Sequence, residues 1–342
     1  MAANDATKLT LADWSKRVDP DGRTPMIAEL LSQSNEILED AVFIEGNLPT
    51  GHRSVIRTGL PTVYWRSINQ GVPRSKSTTA TVDDSVGMLE AYAAVDKDLA
   101  ELNGNSASFR LSEDRAFLEA MNQQQAQTLF YGTPNNDPRQ YLGFASRYGA
   151  ISGAGNGQNV LSGGGAASAN TSVYLVGWGE NTCFCPFPKG SKAGLISEDD
   201  GILTIYDPNG NPYKAYQTHY QWKNGLVVKD WRYVVRIANL DTATFAALTG
   251  TQAPTGAFGT SIIHLMSRAL DRIPNLSACR PAFYMNRSVY SLLRRIAMEK
   301  SIYALALENG MNQFGSPAKW MSFEGVPLRR VDQVLNTETT VV

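Results

Sequence analysis

Histidine, cysteine and charge are all scarce in this chain of 342 residues. Three histidines and three cysteines leave little material for a metal centre or a nucleophilic site. An odd number of cysteines fits free thiols in a reducing compartment better than a disulfide framework. Charged residues make up 18% of the chain, and the formal net charge is −1. That balance argues against a dedicated nucleic-acid binder, which carries a basic excess, although a basic patch can hide within a balanced total. No run approaches the roughly eighteen apolar residues of a membrane-spanning helix. The opening residues, MAANDATKLTLADWSKR, lack the apolar core of a signal peptide. The chain is therefore expected to be intracellular when made.

What is present supports a large core. Hydrophobic residues are 43% of the chain, enough for one large domain or two. The stretch TVYWRSINQGVPRSKSTTATVDDSVGMLEAY, Thr62 to Tyr92, has β-rich ends and a polar middle, with Gly71 and Pro73 marking a bend. Between Asn69 and Thr81, Val72 is the only large aliphatic side chain. An isolated hairpin is marginal in water. Such a ribbon is either disordered or covered by something outside the chain.

Periodicity predicts a helix in TPMIAELLSQSNEILEDAVFIEGN, with Ile27, Leu30, Leu31, Ile37 and Leu38 on one face. A strand is expected over Met88–Val95, then a short acidic helical turn over Asp96–Leu102. The segment LSEDRAFLEAMNQQQAQTLFYG predicts the clearest helix, capped by Ser112 and stopped by Gly132. Phe117, Leu118, Met121, Leu129 and Phe130 form its apolar stripe. Gln123, Gln124, Gln125 and Gln127 give it an uncharged polar surface, either a solvated face or one packed beside another chain. SGAGNGQNVLSGGGAASANTS, Ser152 to Ser172, reads as a flexible surface loop. VYLVGW is a buried-strand run, and LTIYDPNGNPYKAY a hairpin turning at Asp207 to Gly210. LVVKDWRYVVRIANL is a further β segment. Helices over Ile262–Ile273 and Arg287–Ala306 flank a strand RPAFYMN, and the last strands lie near KWMSFEGVPLRRVDQVL. The fold class is α+β.

Reaction centres are hard to assemble from these residues. His264, inside SIIHLMSRAL, reads as a packed or interface histidine, and His219, inside YQTHYQW, as structural; His52 suits a contact role. Cys183 and Cys185 share a strand face, but a structural zinc site takes about four close ligands and only Cys279 and distant histidines remain. GAGNG at Gly153 to Gly157 lacks the strand before and helix after of a dinucleotide fingerprint, and PKGSKAG lacks the phosphate-loop pattern. No catalytic, cofactor or metal residues are expected.

Several extended phrases resemble one family. EGNLPTGHRSVIRTGLPTVYWRSINQGVPRSKSTTATVDD, MLEAYAAVDKDLAELNG and SEDRAFLEAMNQQQAQTLFYG are similar to the major capsid proteins of tailed bacteriophages that lack a fused scaffolding segment. NTSVYLVGWGEN, FPKGSKAGL, YQWKNGLVVKDWRYVVRIANLD and RPAFYMNR extend the likeness from about Leu9 to Val334. The resemblance implies the fold first seen in the phage Hong Kong 97 capsid protein. It implies an N-terminal arm over 1–50, an extended β loop over 51–86 and an axial domain over 145–317. A peripheral domain over 87–144 and 318–342 would hold a spine helix at 112–131. The implied function is self-assembly as pentamers and hexamers into an icosahedral head shell around double-stranded DNA, which is held without sequence-specific contact. Its implied location is the virion capsid, assembled in host cytoplasm without a membrane, and separate scaffolding, portal and decoration proteins would be its partners. In this family the extended loop lies across a neighbouring subunit, which makes His52, Arg53, Arg57, Trp65, Arg66, Arg74 and Lys76 candidate inter-subunit contacts. Gln123, Gln124 and Gln127 of the spine face join them. The covalent cross-link of the best-known relative needs a lysine, an asparagine and a glutamate; Lys76 lies in the right loop, and no partner motif is identifiable. Another virion structural part, in the tail or decoration, and an intracellular α/β enzyme centred near His219 or Cys183 are the alternatives.

Overall fold

A computed structural model of the chain describes residues 9, 32–102, 106–165, 169–242, 257–298, 305–311 and 317–342. Its strands, in chain order, are β1 (Phe43–Glu45), β2 (Gly51–Gly59), β3 (Thr78–Asp96), β4 (Val160–Ser162), β5 (Asn170–Trp178), β6 (Cys183–Phe187) and β7 (Leu195–Tyr206). They continue with β8 (Pro212–Gly225), β9 (Val227–Val228), β10 (Val234–Asp241), β11 (Arg280–Met285), β12 (Leu305–Met311), β13 (Pro317–Phe323) and β14 (Val326–Arg330). The helices are α1 (Ile37–Asp40), α2 (Lys97–Glu101), α3 (Ser106–Tyr131), α4 (Phe144–Arg147), α5 (Ala257–Arg272) and α6 (Arg287–Met298).

Two compact units form. The larger takes 34–87, 126–193 and 224–342. Its sheet runs β1-β6-β5-β11-β14-β13-β12, with β10 also pairing with β5 and β4, and β9 with β6. Every residue of β5 is buried, as expected of a central strand covered on both faces. Alternation sorts its side chains between two cores. Val173 and Leu175 meet Val235, Ile237, Phe283 and the apolar faces of α5 and α6. Tyr174, Val176 and Trp178 meet Leu129, Phe130, Phe144 and Tyr148. A polar chain is buried there too: Trp178 Nε1 donates to Tyr284 Oη at 2.7 Å, Tyr284 donates to Asp40 at 3.0 Å, and Arg329 grips Asp40 with two bonds of 2.9 Å.

The smaller unit takes 88–125 and 194–223. The second half of β3 pairs with β8, and β8 with β7, whose hairpin turns at Asp207 as expected; Asp207 Oδ1 accepts from the amides of Asn209 and Asn211 at 2.9 and 2.7 Å. One sheet face packs on α3, where Ala93 and Tyr220 cluster with Met121, Phe117 and Leu118. Asp96 caps α2 by accepting from the amides of Asp98 and Leu99.

Several local expectations need correction. The long helix starts at Ser106, so Ser112 is not its cap; the Ser112 hydroxyl donates back to the Phe109 carbonyl at 2.8 Å. Gln125 is buried rather than part of a polar surface. The other end is as expected: a side chain on Gly132 would sit 2.5 Å from the carbonyl oxygens of Thr128 and Tyr141. α6 is described only as far as Met298, and Leu305 and Ala306 are strand residues, so the expected helix to Ala306 is too long. Part of the stretch 152–172 is built rather than loop: Asn159 is buried and its amide donates to the carbonyls of Trp231 and Val234 at 3.2 and 3.0 Å. Of the two readings of His264, packed or interface, its exposure on α5 removes the first. Of the first predicted helix, 24–31 lie outside the described residues; in the described part only α1 is helical, and the expected helical end is wrong, because Phe43–Glu45 pair with β6 as strand β1.

Candidate functional site

β2 and the first half of β3 form a two-stranded ribbon, paired from Gly51↔Ser85 to Gly59↔Thr78 with a bulge between Arg57 and Gly59. Beyond it, residues 60–77 carry no regular structure. Cross-links hold the two arms: the Ser75 hydroxyl donates to the Thr62 carbonyl at 2.7 Å, and Thr58 and Thr78 hydroxyls meet at 3.1 Å. The reversal comes at Asn69, whose φ is 66°, with the Gln70 amide donating to the Ser67 carbonyl at 3.2 Å. Asparagine tolerates that left-handed conformation, so the bend falls just before the Gly71–Pro73 signal.

The outer part of this ribbon is exposed and apolar. Trp65 is 103% accessible, Ile68 91%, Val63 86% and Leu60 80%. Single exposed apolar residues are ordinary, but a contiguous group marks a surface that something else covers.

Its root is rigid for a backbone reason. A Cβ on Gly51 would fall 2.1 Å from the Asp84 carbonyl oxygen, one on Gly46 2.5 Å from that of Gly51, and one on Gly225 2.7 Å from that of Ser85. Three backbone segments therefore meet with no room for side chains. Asp84 then pairs with Arg147 at 2.6 Å, their side chains only 6% and 10% exposed. Arg147 also donates to the carbonyls of Leu226 and Leu142 at 2.9 and 3.2 Å. Asn47 clips β2 from the side, donating to the Arg53 carbonyl at 2.8 Å and accepting its amide at 2.7 Å. The ribbon thus projects from a fixed base.

The candidate contact residues divide by environment. Arg53 is exposed but already held by Asp83 through two bonds of 2.6 Å, which keeps the Asp83 carboxyl below its ordinary range. Arg57 and Trp65 are exposed on the ribbon. Arg66 is exposed too, its Nε donating to the Gln70 carbonyl at 2.8 Å across the tip. Arg74 and Lys76 are exposed, with no hydrogen bond or ion pair to the described residues. His52 is different: it packs edge-on against Phe184 at 5.2 Å, and its Nδ1 is buried without a partner. Burial, then the neighbouring Lys229, lower its pKa against the opposing pull of Asp84. On α3, Gln127 is exposed while Gln123 and Gln124 are half-buried, Gln123 donating to Glu119 at 2.8 Å.

The remaining chemistry-bearing groups are internal. Cys183 and Cys185 are buried in a core, and burial raises the Cys183 thiol well above its usual value and Cys185 to about 12. His219 stacks on Tyr92 at 4.4 Å. Among the described residues no three metal-binding side chains gather. What the described part of the ribbon presents outward is an exposed apolar group beside exposed cations. Sequence reasoning argued from the polar half of the ribbon, 69–81, and from Trp65 and Arg66, and missed that Leu60, Val63 and Ile68 stand exposed beside them. The signal was available in the Gly59–Pro61 interruption before TVYWRSI, which separates that apolar group from the paired strand.

Comparison with known proteins bears on this surface. The family model described as major capsid protein GP7 matches residues 19–342. A chain from the near-atomic structure of bacteriophage Epsilon15 is 30% identical, with a TM-score of 0.74, covering 100% of this chain and 99% of its own. The bacteriophage JBD30 capsid has a TM-score of 0.50 at 10% identity, covering 92% of this chain and 99% of its own, a likeness of fold. No curated protein sequence matches.

Proposed function

Because this chain belongs to the major capsid protein GP7 family and is a major capsid protein of a tailed phage, we propose that its exposed ribbon is the clamp that joins neighbouring copies into the shell. The observation that carries this reading is the outer ribbon, where Leu60, Val63, Trp65 and Ile68 stand in water on a base of closely packed backbone. β2 alone, nine residues, reaches about 30 Å at about 3.3 Å per residue. The unstructured arms carry the apolar side chains further still. An obligate interface buries on the order of 2,000 Å² or more, and the ribbon supplies apolar area for it that no described residue of its own chain covers.

Pentamers and hexamers of like copies, closing into an icosahedral shell around double-stranded DNA, follow as the working assembly. Closure needs head-to-tail contacts that return on themselves, and a ribbon from each copy gripping the next supplies one such contact per subunit. Scaffolding, portal and decoration proteins would be separate chains. The protein's role is structural rather than enzymatic, and assembly would take place in the host cytoplasm.

The test replaces Asn69–Thr81 with a short Gly-Ser turn and, separately, Leu60, Val63, Trp65 and Ile68 with serine. Circular dichroism reports folding and sedimentation reports assembly. Both variants are expected to fold as subunits and fail to close shells. Normal shells from the serine variant would refute the clamp; loss of folding in both would place the ribbon in the subunit's own core.

A further inference from the structure

The balanced net charge conceals a sharp segregation. From Gly51 to Val82 every charged side chain is cationic: Arg53, Arg57, Arg66, Arg74 and Lys76. Among the described residues only Arg53 has an acid partner, Asp83. The segments 88–125 and 194–223 of the smaller unit carry the opposite excess, eleven carboxylates against five cations.

That excess includes an open sheet face. Glu90 and Tyr92 on β3, His219 and Gln221 on β8 and Glu198 on β7 share it, with Glu198 opposite His219 in register. Tyr92 and His219 stack in parallel, 10° between ring planes, and Glu90 accepts from Gln221 and stands 3.7 Å from His219 Nε2. Met88 is 67% and Tyr92 53% accessible on the same strand. The reverse face is the one packed on α3 through Ala93 and Tyr220. So among the described residues this unit covers one side of its sheet with α3 and leaves the other acidic, aromatic and largely uncovered.

We infer that the bare face formed by Glu90, Tyr92, Glu198 and His219 is the docking surface for the cationic ribbon of a second copy of this chain. The inference rests on the clamp reading above and goes further by naming the acceptor and the force. Arg57, Arg74 and Lys76 meet carboxylates, while Trp65 and Ile68 meet Met88 and the stacked Tyr92–His219 pair, where an arginine or an edge-on ring finds a favourable aromatic surface. Complementary charge of this kind chiefly sets register and speeds encounter, and like-charge juxtaposition rejects wrong pairings. It also makes assembly salt-sensitive, because the screening length shrinks from about 10 Å at 0.1 M salt to about 3 Å at 1 M.

The experiment uses the full chain and three charge variants. Glu90→Lys with Glu198→Lys reverses the face; Arg57→Glu, Arg74→Glu and Lys76→Glu reverse the ribbon; the third variant carries all five changes. Sedimentation measures the assembled fraction at low and high salt, and circular dichroism confirms folding. Each one-sided reversal is expected to lower assembly by about tenfold or more at low salt, because it sets like charges face to face, and the variant with all five changes to restore most of it, because its facing charges are again opposite in sign. The neutral pair Glu90→Gln and Glu198→Gln should assemble with a flattened salt dependence, which serves if the lysine variant fails to fold. A face variant that assembles like the parent overturns the inference. So does a ribbon defect that the fivefold variant leaves unrepaired, which would assign the cations to DNA or to a separate protein. In both cases the ribbon clamp itself stands unless the serine variant of the ribbon also assembles.

Discussion

Arg147→Ala should cut the ribbon loose at its root. The guanidinium is the sole salt-bridge partner of Asp84 among the described residues, at 2.6 Å, and both side chains are almost fully enclosed. Its removal leaves a carboxylate buried without a counter-charge and two carbonyls, of Leu226 and Leu142, without their donor. Breaking one side of a buried pair costs about 3–5 kcal/mol. At about 2–4 °C per kcal/mol for chains of some 150–250 residues, and toward the lower end for this longer one, the melting temperature of the dissociated subunit should fall by about 6–12 °C. The double change Arg147→Met with Asp84→Leu leaves no orphan charge and should recover more than half of that loss. Urea unfolding of both variants, followed by far-ultraviolet circular dichroism, measures it. If Arg147→Ala costs less than about 1 kcal/mol, or if the double variant is worse than the single one, then the tight backbone at Gly46, Gly51 and Gly225 holds the root and the ion pair does not.

Two further outcomes follow from the titrating groups. Alkylation at pH 8 followed by mass spectrometry should label the folded chain once, at the half-exposed Cys279, and reach Cys183 and Cys185 only after unfolding, since burial raises Cys183 well above its usual value and Cys185 to about 12; prompt double labelling of folded protein would contradict this. His52, held below its ordinary 6.5, is protonated more readily in the unfolded chain. Its contribution to stability is therefore full above about pH 6.5, declines as the pH falls toward the lowered value and then levels off. His52→Gln should flatten the melting-temperature profile between about pH 7.5 and 5, and an unchanged slope would assign it to other groups.

Local signals in the sequence located most of the elements. VYLVGW read as a buried strand because it has no polar side chain, while the polar Asn170–Ser172 that begin β5 were read as loop; the Asp207 turn was legible from its Pro-Asn-Gly run. The ribbon was legible as a segment without a core, and its resemblance to capsid proteins supplied the reason. The start of the long helix was misread because Ser112 and the acids after it mimic a cap, while SASFRL before them bears no strong signal of its own. Long-range charge pairing was invisible: nothing near Asp84 announces Arg147, 63 residues away, nor does anything near Arg236 announce Glu338, 102 away. Those pairs exist because the sheet order brings distant strands and the C-terminal segment together, which no local pattern encodes. The charge segregation lies in the sequence in full view, yet it acquires meaning only once β3, β7 and β8 are seen to form one sheet.

Hydrogen exchange across Leu60–Ser77 tests the clamp most directly. In the single chain these amides lie in an exposed segment without regular structure, so most should exchange on the fast timescale of unprotected loops. In the assembled shell, if a neighbouring copy covers the ribbon, the same amides should slow by orders of magnitude while those of buried β5 change little. Equal, fast exchange of Leu60–Ser77 in free subunits and in closed shells would mean that the ribbon stays in water after assembly, and that copies of this chain hold one another by some other surface.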